Sequence, residues 1–427
     1  MTLEHGYRLP EQVGSVSTQF HVFKLLTQLT SIAPDANITF ATFSFLGWLT
    51  GAIRMKMKLN SLTYAVALAS SALMAPSVSQ AAGTITFGED QYVSVGFGMR
   101  GSYTNAEDGA NDGGRSNDFN LDSARLYFSG ALNKYIKGMF NTEMNSDESM
   151  KVIDAAGIFQ LTPDFAIWTG RFLSPSSRAN MAGPYYTSGD GYWQNIAARY
   201  GWNGGTIGRD EGVAVVGTTL DQRLAYSFGA FEADKIFFYS GLTNESTSNP
   251  NQSDELMYAG RLQYSFWDKE PGYYGTGNYL GAKDIFTIGV FGRSKEDGAA
   301  STTDVGDYSQ YGADLLIEKK LGAGAISFEA AYYDYDTDDV FESEQGEAYA
   351  LGAGFIFSEK VGWGQFMPIV HYQNFDADNG IETERTDFGV NYIIDGYNAQ
   401  ITAIYRNLEV TNQSDDDAFV ISTQLQF

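Results

Sequence analysis

Histidine occurs only at His5, His21 and His371 in this chain of 427 residues, and cysteine is absent. Cysteine nucleophiles, disulfide scaffolds and Cys-type zinc sites are therefore excluded, and histidine catalysis is starved of residues. His371 has Gln373 in phase beside it; a hydrolase there would need a serine and an acid or asparagine converging on the imidazole. A polar strand residue is the plainer reading. Gly96-Phe-Gly-Met-Arg-Gly101 spells a dinucleotide-binding turn, but it runs into Ser-Tyr-Thr-Asn and an acidic loop, with no helix to present its N-terminus to a phosphate. Asp334, Asp336 and Asp338 mimic the opening ligands of a calcium loop without the glycine that its sixth position requires. No cofactor and no metal site are expected. The remaining chemistry is that of fixed charge: arginines whose guanidinium groups recognise anions.

These arginines must be positioned by strands. In Phe419-Val-Ile-Ser-Thr-Gln-Leu-Gln-Phe427 the residues Phe419, Ile421, Thr423, Leu425 and Phe427 fall on one face and Val420, Ser422, Gln424 and Gln426 on the other. Such a period of two marks a strand with one apolar and one polar face. Sixteen runs of this kind follow one another, near 91–103, 119–131, 134–145, 150–161, 164–172, 210–220, 223–232, 254–267, 284–294, 309–320, 324–335, 346–357, 364–375, 384–394, 398–408 and 417–427. Short connections (Leu132-Asn133, Thr162-Pro163, Asp221-Gln222, 321–323, 395–397) alternate with long ones (104–118, 173–209, 233–253, 295–308, 336–345), and segment 268–283 breaks the rule. An even number of strands, apolar outward and polar inward with one short-looped end, predicts a closed transmembrane antiparallel β-barrel, because hydrocarbon tolerates no unpaired backbone edge.

Composition agrees. Gly 47 against Pro 9, with Tyr 27 and Phe 29, favours strands, and a formal charge of −25 argues against a nucleic-acid partner. Met55 or Met57, the basic Lys56 and Lys58, the apolar run Leu62 to Ala75, and small residues at Ser79 and Ala81 make a secretory signal cut ahead of Ala82. Residues 1–54 then read as an upstream extension from a mis-assigned start, 55–81 as signal peptide and 82–427 as the barrel. The alternative, a membrane helix over Ile38 to Ile53, is shorter than the roughly twenty residues a bilayer demands.

Four passages give the chain its resemblance to a known family: Leu121-Asp-Ser-Ala-Arg-Leu-Tyr-Phe-Ser-Gly130, Gly170-Arg-Phe-Leu-Ser-Pro175, Tyr392-Ile-Ile-Asp-Gly-Tyr-Asn-Ala-Gln400 and the terminal Phe427. With them the chain resembles bacterial outer-membrane porins and is most similar to the phosphate-selective porins O and P. The resemblance implies a sixteen-stranded barrel in the outer membrane of a Gram-negative bacterium, a homotrimer, and a third outer loop folded into the pore.

In such a barrel Arg100, Arg125, Lys137, Arg223, Arg261, Arg293, Arg385 and Arg406 take the inward phase, as does Arg171, facing the acids Glu143, Asp154, Asp314, Glu318, Glu329 and Asp387. Inward arginine alone proves no selectivity, since a cation on the lipid face costs about 2–4 kcal/mol at mid-membrane. The two signs either form opposed rows with a transverse field, or cross-strand pairs that neutralise one another. Loop 173–209 is the candidate constriction, with Arg178, Arg199 and Arg209 and the aromatics Tyr185, Tyr186 and Trp193; it contains no lysine, unlike the phosphate porins. Acidic stretches such as 336–347, 376–378 and 415–417 belong outside, where divalent ions could bridge them to lipopolysaccharide. The expected function is passive diffusion of small hydrophilic solutes or anions; the rivals are a scaffold or adhesion barrel and a hydrolase at His371.

Overall fold

The computed structural model describes residues 83–427 apart from 108, 112, 145–148, 192–195, 199–207, 234–252, 271 and 302. The upstream extension, the signal segment and the 38–53 run lie outside the described residues. The strands are β1 (Gly83–Thr86), β2 (Tyr92–Ala106), β3 (Asp118–Ala131), β4 (Ile136–Met144), β5 (Met150–Thr162), β6 (Phe165–Leu173), β7 (Arg209–Thr219), β8 (Leu224–Phe231) and β9 (Met257–Ser265). They continue as β10 (Ile285–Ala300), β11 (Val305–Leu321), β12 (Gly324–Asp336), β13 (Gly346–Phe357), β14 (Gln365–Ala377), β15 (Glu382–Asp395), β16 (Ala399–Val410) and β17 (Asp416–Gln426).

From β2 onward every strand pairs antiparallel with its sequence neighbours, and β17 returns to pair with β2, so β2 to β17 close into a ring. The sixteen expected runs coincide with these sixteen strands. The small β1 has no counterpart among them. It pairs with residues 92–95 of β2, just beyond the stretch that β17 covers, so the two lie end to end along one edge.

Alternation sets the faces. Along β17 the outward Phe419, Ile421 and Leu425 are exposed while Val420, Ser422, Gln424 and Gln426 are buried, the inverse of a soluble protein and the pattern a lipid-facing wall demands. The interior is less uniformly polar than expected. Trp168, Phe172, Phe231 and Met257 cluster inside the wall of β6 to β9, and Phe291, Tyr333, Tyr335 and Phe375 inside that of β10 to β14.

Two expected connections differ. Residues 295–308 are largely strand, because β10 and β11 extend to leave only 301–304 between them. Segment 266–284, between β9 and β10, does not close as a tight turn but folds into the bore.

Candidate functional site

The connection from β6 to β7, residues 174–208, turns inward immediately after Leu173. Ser177 starts a single helical turn, Arg178–Ala182, its hydroxyl accepting from the Asn180 amide, and Gly183 at φ 69° ends it. From there the chain runs across the barrel, and the wall holds it at many points. Arg293 on β10 donates to the carbonyls of Ser174 (3.1 Å) and Pro175 (3.3 Å), and Arg261 on β9 donates to that of Ser176 (3.1 Å). Asp314 on β11 accepts from the Arg178 amide at 2.8 Å. On the far side Ser123 of β3 meets the Tyr185 hydroxyl at 2.8 Å, and Gln424 of β17 donates to the Tyr185 carbonyl at 2.9 Å. Ser188 lies 3.0 Å from Nε2 of His371 on β14, and Asp190 accepts from Arg406 on β16 at 2.6 Å. Tyr335 of β12 donates to the Ala197 carbonyl at 2.7 Å. Trp193 and Arg199 lie outside the described residues.

Segment 266–284 meets this loop from the short-turn end. Glu270 takes both terminal nitrogens of Arg178 at 2.8 and 2.7 Å, in the parallel geometry that makes arginine–carboxylate pairs strong. The amides of Gly275 and Gly277 bond the carbonyls of Met181 and Tyr186, Tyr273 donates to that of Leu173, and Glu318 of β11 accepts the amides of Tyr279 and Gly281. Tyr186 packs against Tyr397. A cavity of about 80 Å³ remains between loop and wall, lined by Arg125, Tyr127, Asn141, Asp154, Arg209 and Tyr274 among others.

Of the anticipated charges, most are brought inward and most are paired. Arg125 pairs with Glu143, Arg261 with Asp314 through two hydrogen bonds, and Arg209 with Asp154. Arg385 and Arg406 share Asp387. Acids and bases thus interleave on the same wall as neutralising pairs, and the opposed-rows arrangement is not what the geometry supports. Glu329 is buried on β12 near His371, and Lys137 takes the inward phase of β4, half-buried near the short-turn end. Arg100 stands over Tyr185, 6.0 Å from the ring centroid, with no ion pair among the described residues.

Two residues depart from expectation. Arg171 falls on the outer phase of β6, with Ile167 and Thr169, and pairs with Glu211 on the outer face of β7. Arg223 does not line the bore; it sits in the β7–β8 turn and donates to the carbonyls of Ser265, Phe266 and Trp267. Asp190, Glu270 and Ser188 carry no signal in the sequence, because each gains its meaning from a partner far away in the chain.

Ser188 and His371 supply half of the constellation a hydrolase would need. The carboxylate of Asp387, opposite His371 on β15, is engaged instead by Arg385 and Arg406, and both Ser188 and His371 are buried.

No family model and no curated protein matches this chain. Its fold is similar to those of several solved barrels. The anion-selective porin from Comamonas acidovorans superposes with a TM-score of 0.53 at 11% identity, over 79% of this chain and 100% of that one. A loop L8 deletion mutant of OmpT, an outer-membrane protein of Vibrio cholerae, gives 0.53 at 12%, over 79% and 100%. The outer-membrane channel DcaP of Acinetobacter baumannii gives 0.51 at 12%, over 80% and 99%. At such identities the likeness establishes the porin-type barrel fold; the narrower resemblance to porins O and P has no family model behind it.

Proposed function

We propose that this barrel is a porin of a Gram-negative outer membrane, exported by the signal at 55–81 and passing small hydrophilic solutes passively, without cofactor or chemistry. The observation that carries the reading is the inverted wall, apolar outside and charged inside, with residues 174–191 of the β6–β7 connection drawn across the bore. Arg100, which makes no ion pair among the described residues, and the partly exposed Arg385 and Arg406 support a preference for anions, the preference for which the Comamonas porin is named. A homotrimer is the assembly proposed, as in the trimer form described for the Vibrio protein, and the acidic outer loops suit divalent-bridged contact with lipopolysaccharide. Planar-bilayer recording of the purified protein under a salt gradient tests this. Stepwise conductance with a reversal potential of anionic sign is expected, moving toward zero when Arg100, Arg385 and Arg406 are neutralised together; absence of conductance would leave a scaffold or adhesion role.

The contact of Ser188 with His371 favours, as a second reading, a barrel hydrolase. Ester hydrolysis by the wild type that vanishes in His371→Ala would establish it; no hydrolysis in either leaves the porin.

A further inference from the structure

The ion pairs inside the barrel fall into two physical classes. In Arg125–Glu143, Arg178–Glu270, Arg209–Asp154 and Arg261–Asp314 every side chain is at most 7% exposed. Removing one partner from such a dry pair strands a buried charge, so these pairs act as permanent pins. The pairs made by Asp190 differ: its side chain is 16% exposed, as is that of Arg385, and Arg406 is 23% exposed. This contact is partly open where the others are dry.

The counter-ions of this cluster also differ in how they are held. Asp387, buried on the wall at 3% exposure, is the fixed counter-ion of both Arg385 and Arg406. Asp190 comes from the loop and binds end-on, 2.6 Å from one nitrogen of Arg406 and 3.7 Å from one of Arg385. Arg100, on β2 across the single intervening strand β17, makes no ion pair of its own among the described residues, yet it lies within electrostatic reach of Asp190. Three guanidinium groups therefore face three carboxylates: Asp387 and Asp122 are built into the wall, Asp122 held by the Ser102 hydroxyl, and Asp190 alone is delivered by a loop.

We propose that Arg100, Arg385 and Arg406 form a binding site for small carboxylates, which the loop's own Asp190 fills in this structure and which a solute carboxylate takes over by displacing it. Guanidinium planes match carboxylate geometry, and the present occupant is itself a carboxylate. As a substrate-class assignment within the bore this rests on the porin reading for its meaning, but the site can be tested without it.

The aspartate side chain is an acetate group on a backbone, so acetate is the probe. Binding of carbon-13-labelled acetate to the detergent-solubilised full-length protein is followed by nuclear magnetic resonance line broadening at constant ionic strength. A tethered ligand competes at an effective concentration of millimolar order, so Asp190→Ala should bind acetate about tenfold more tightly than the wild type. Asp190→Asn, which keeps the side-chain volume and thus the loop packing, should also gain affinity. Adding Arg406→Gln to either variant should abolish the gain. Equal affinity in wild type and both Asp190 variants, retention of the gain after Arg406→Gln, or equal gain for inorganic phosphate would overturn the assignment, the last by showing that charge alone is read. A barrel that gains acetate binding but carries no current refutes the channel and not the site; a conducting barrel with unchanged acetate affinity refutes the site and not the channel.

Discussion

Glu270 shows how a single residue fixes the bore. Burial pushes its carboxyl group up, but the Arg178 guanidinium against it holds it below the ordinary glutamate value. The pair is dry on both sides, so Arg178→Met should leave Glu270 charged and unpaired and cost about 3–5 kcal/mol. Urea unfolding of the barrel in lipid vesicles measures this, and Arg178→Met with Glu270→Met should recover much of the loss. The double variant tells the cost of a stranded charge from the worth of the pair. Asp190 gives the matching pH prediction. Burial raises its carboxyl, while Arg406, Arg385 and Arg100 together more than offset that and hold it below the usual aspartate value. A group with a depressed folded value contributes fully above its unfolded value of about 3.9 and is lost only as pH falls through the folded one. The Asp190 tether should therefore stay intact from pH 8 down to about 4, with conductance changing only below that. A transition centred near pH 6 would assign the tether to a different titrating group.

Among the elements, β6 shows where local geometry overrides pattern. Gly170 there has φ of 112°, and a Cβ added to it would fall on the Ala155 carbonyl oxygen of β5. Gly170→Ala should cost about 1–3 kcal/mol, since it forces a side chain into a backbone region that only glycine visits freely; a lowered unfolding midpoint with unchanged single-channel conductance checks it. The same strand explains what the sequence made legible and what it hid. Period two carried the sixteen barrel strands because lipid outside and charge inside constrain every second residue, as in β17. It misplaced Arg171 because β6 turns its large residues the other way: Trp168 and Phe172 point into the bore, where Tyr273 packs against both at ring distances of 4.7 and 6.0 Å. Tyr273 stands on segment 266–284, which carries no alternation, so its inward fold was invisible and with it the reason for an apolar inner surface. Asp190 was hidden for a related reason. Its partner Arg406 is 216 positions away, and no spacing rule connects a loop aspartate to a strand so remote.

For the whole molecule the decisive feature is closure, because an open sheet edge in hydrocarbon leaves backbone groups unsatisfied at several kcal/mol each. Strand β17 pairs with β2 from Ala106 only as far as Gly98, after which the Phe427 and Phe97 backbones bond one another and their rings meet at 5.5 Å. Residues 92–95 of β2 would then present a bare edge, and β1 covers it with Gly83 to Thr86 in the same direction as β17. The last strand of the ring is therefore composite, made from both ends of the barrel sequence. Deleting residues 83–88 should lower the temperature at which the folded, detergent-resistant band disappears on electrophoresis, although no lumen residue has been touched and conductance of the surviving barrels should be unaltered. Substituting Thr84 and Thr86 by alanine, which keeps the backbone ladder, should leave that temperature nearly unchanged. If deletion and substitution behaved alike, the edge of β2 would be protected by something other than β1, and closure by a composite strand would be wrong.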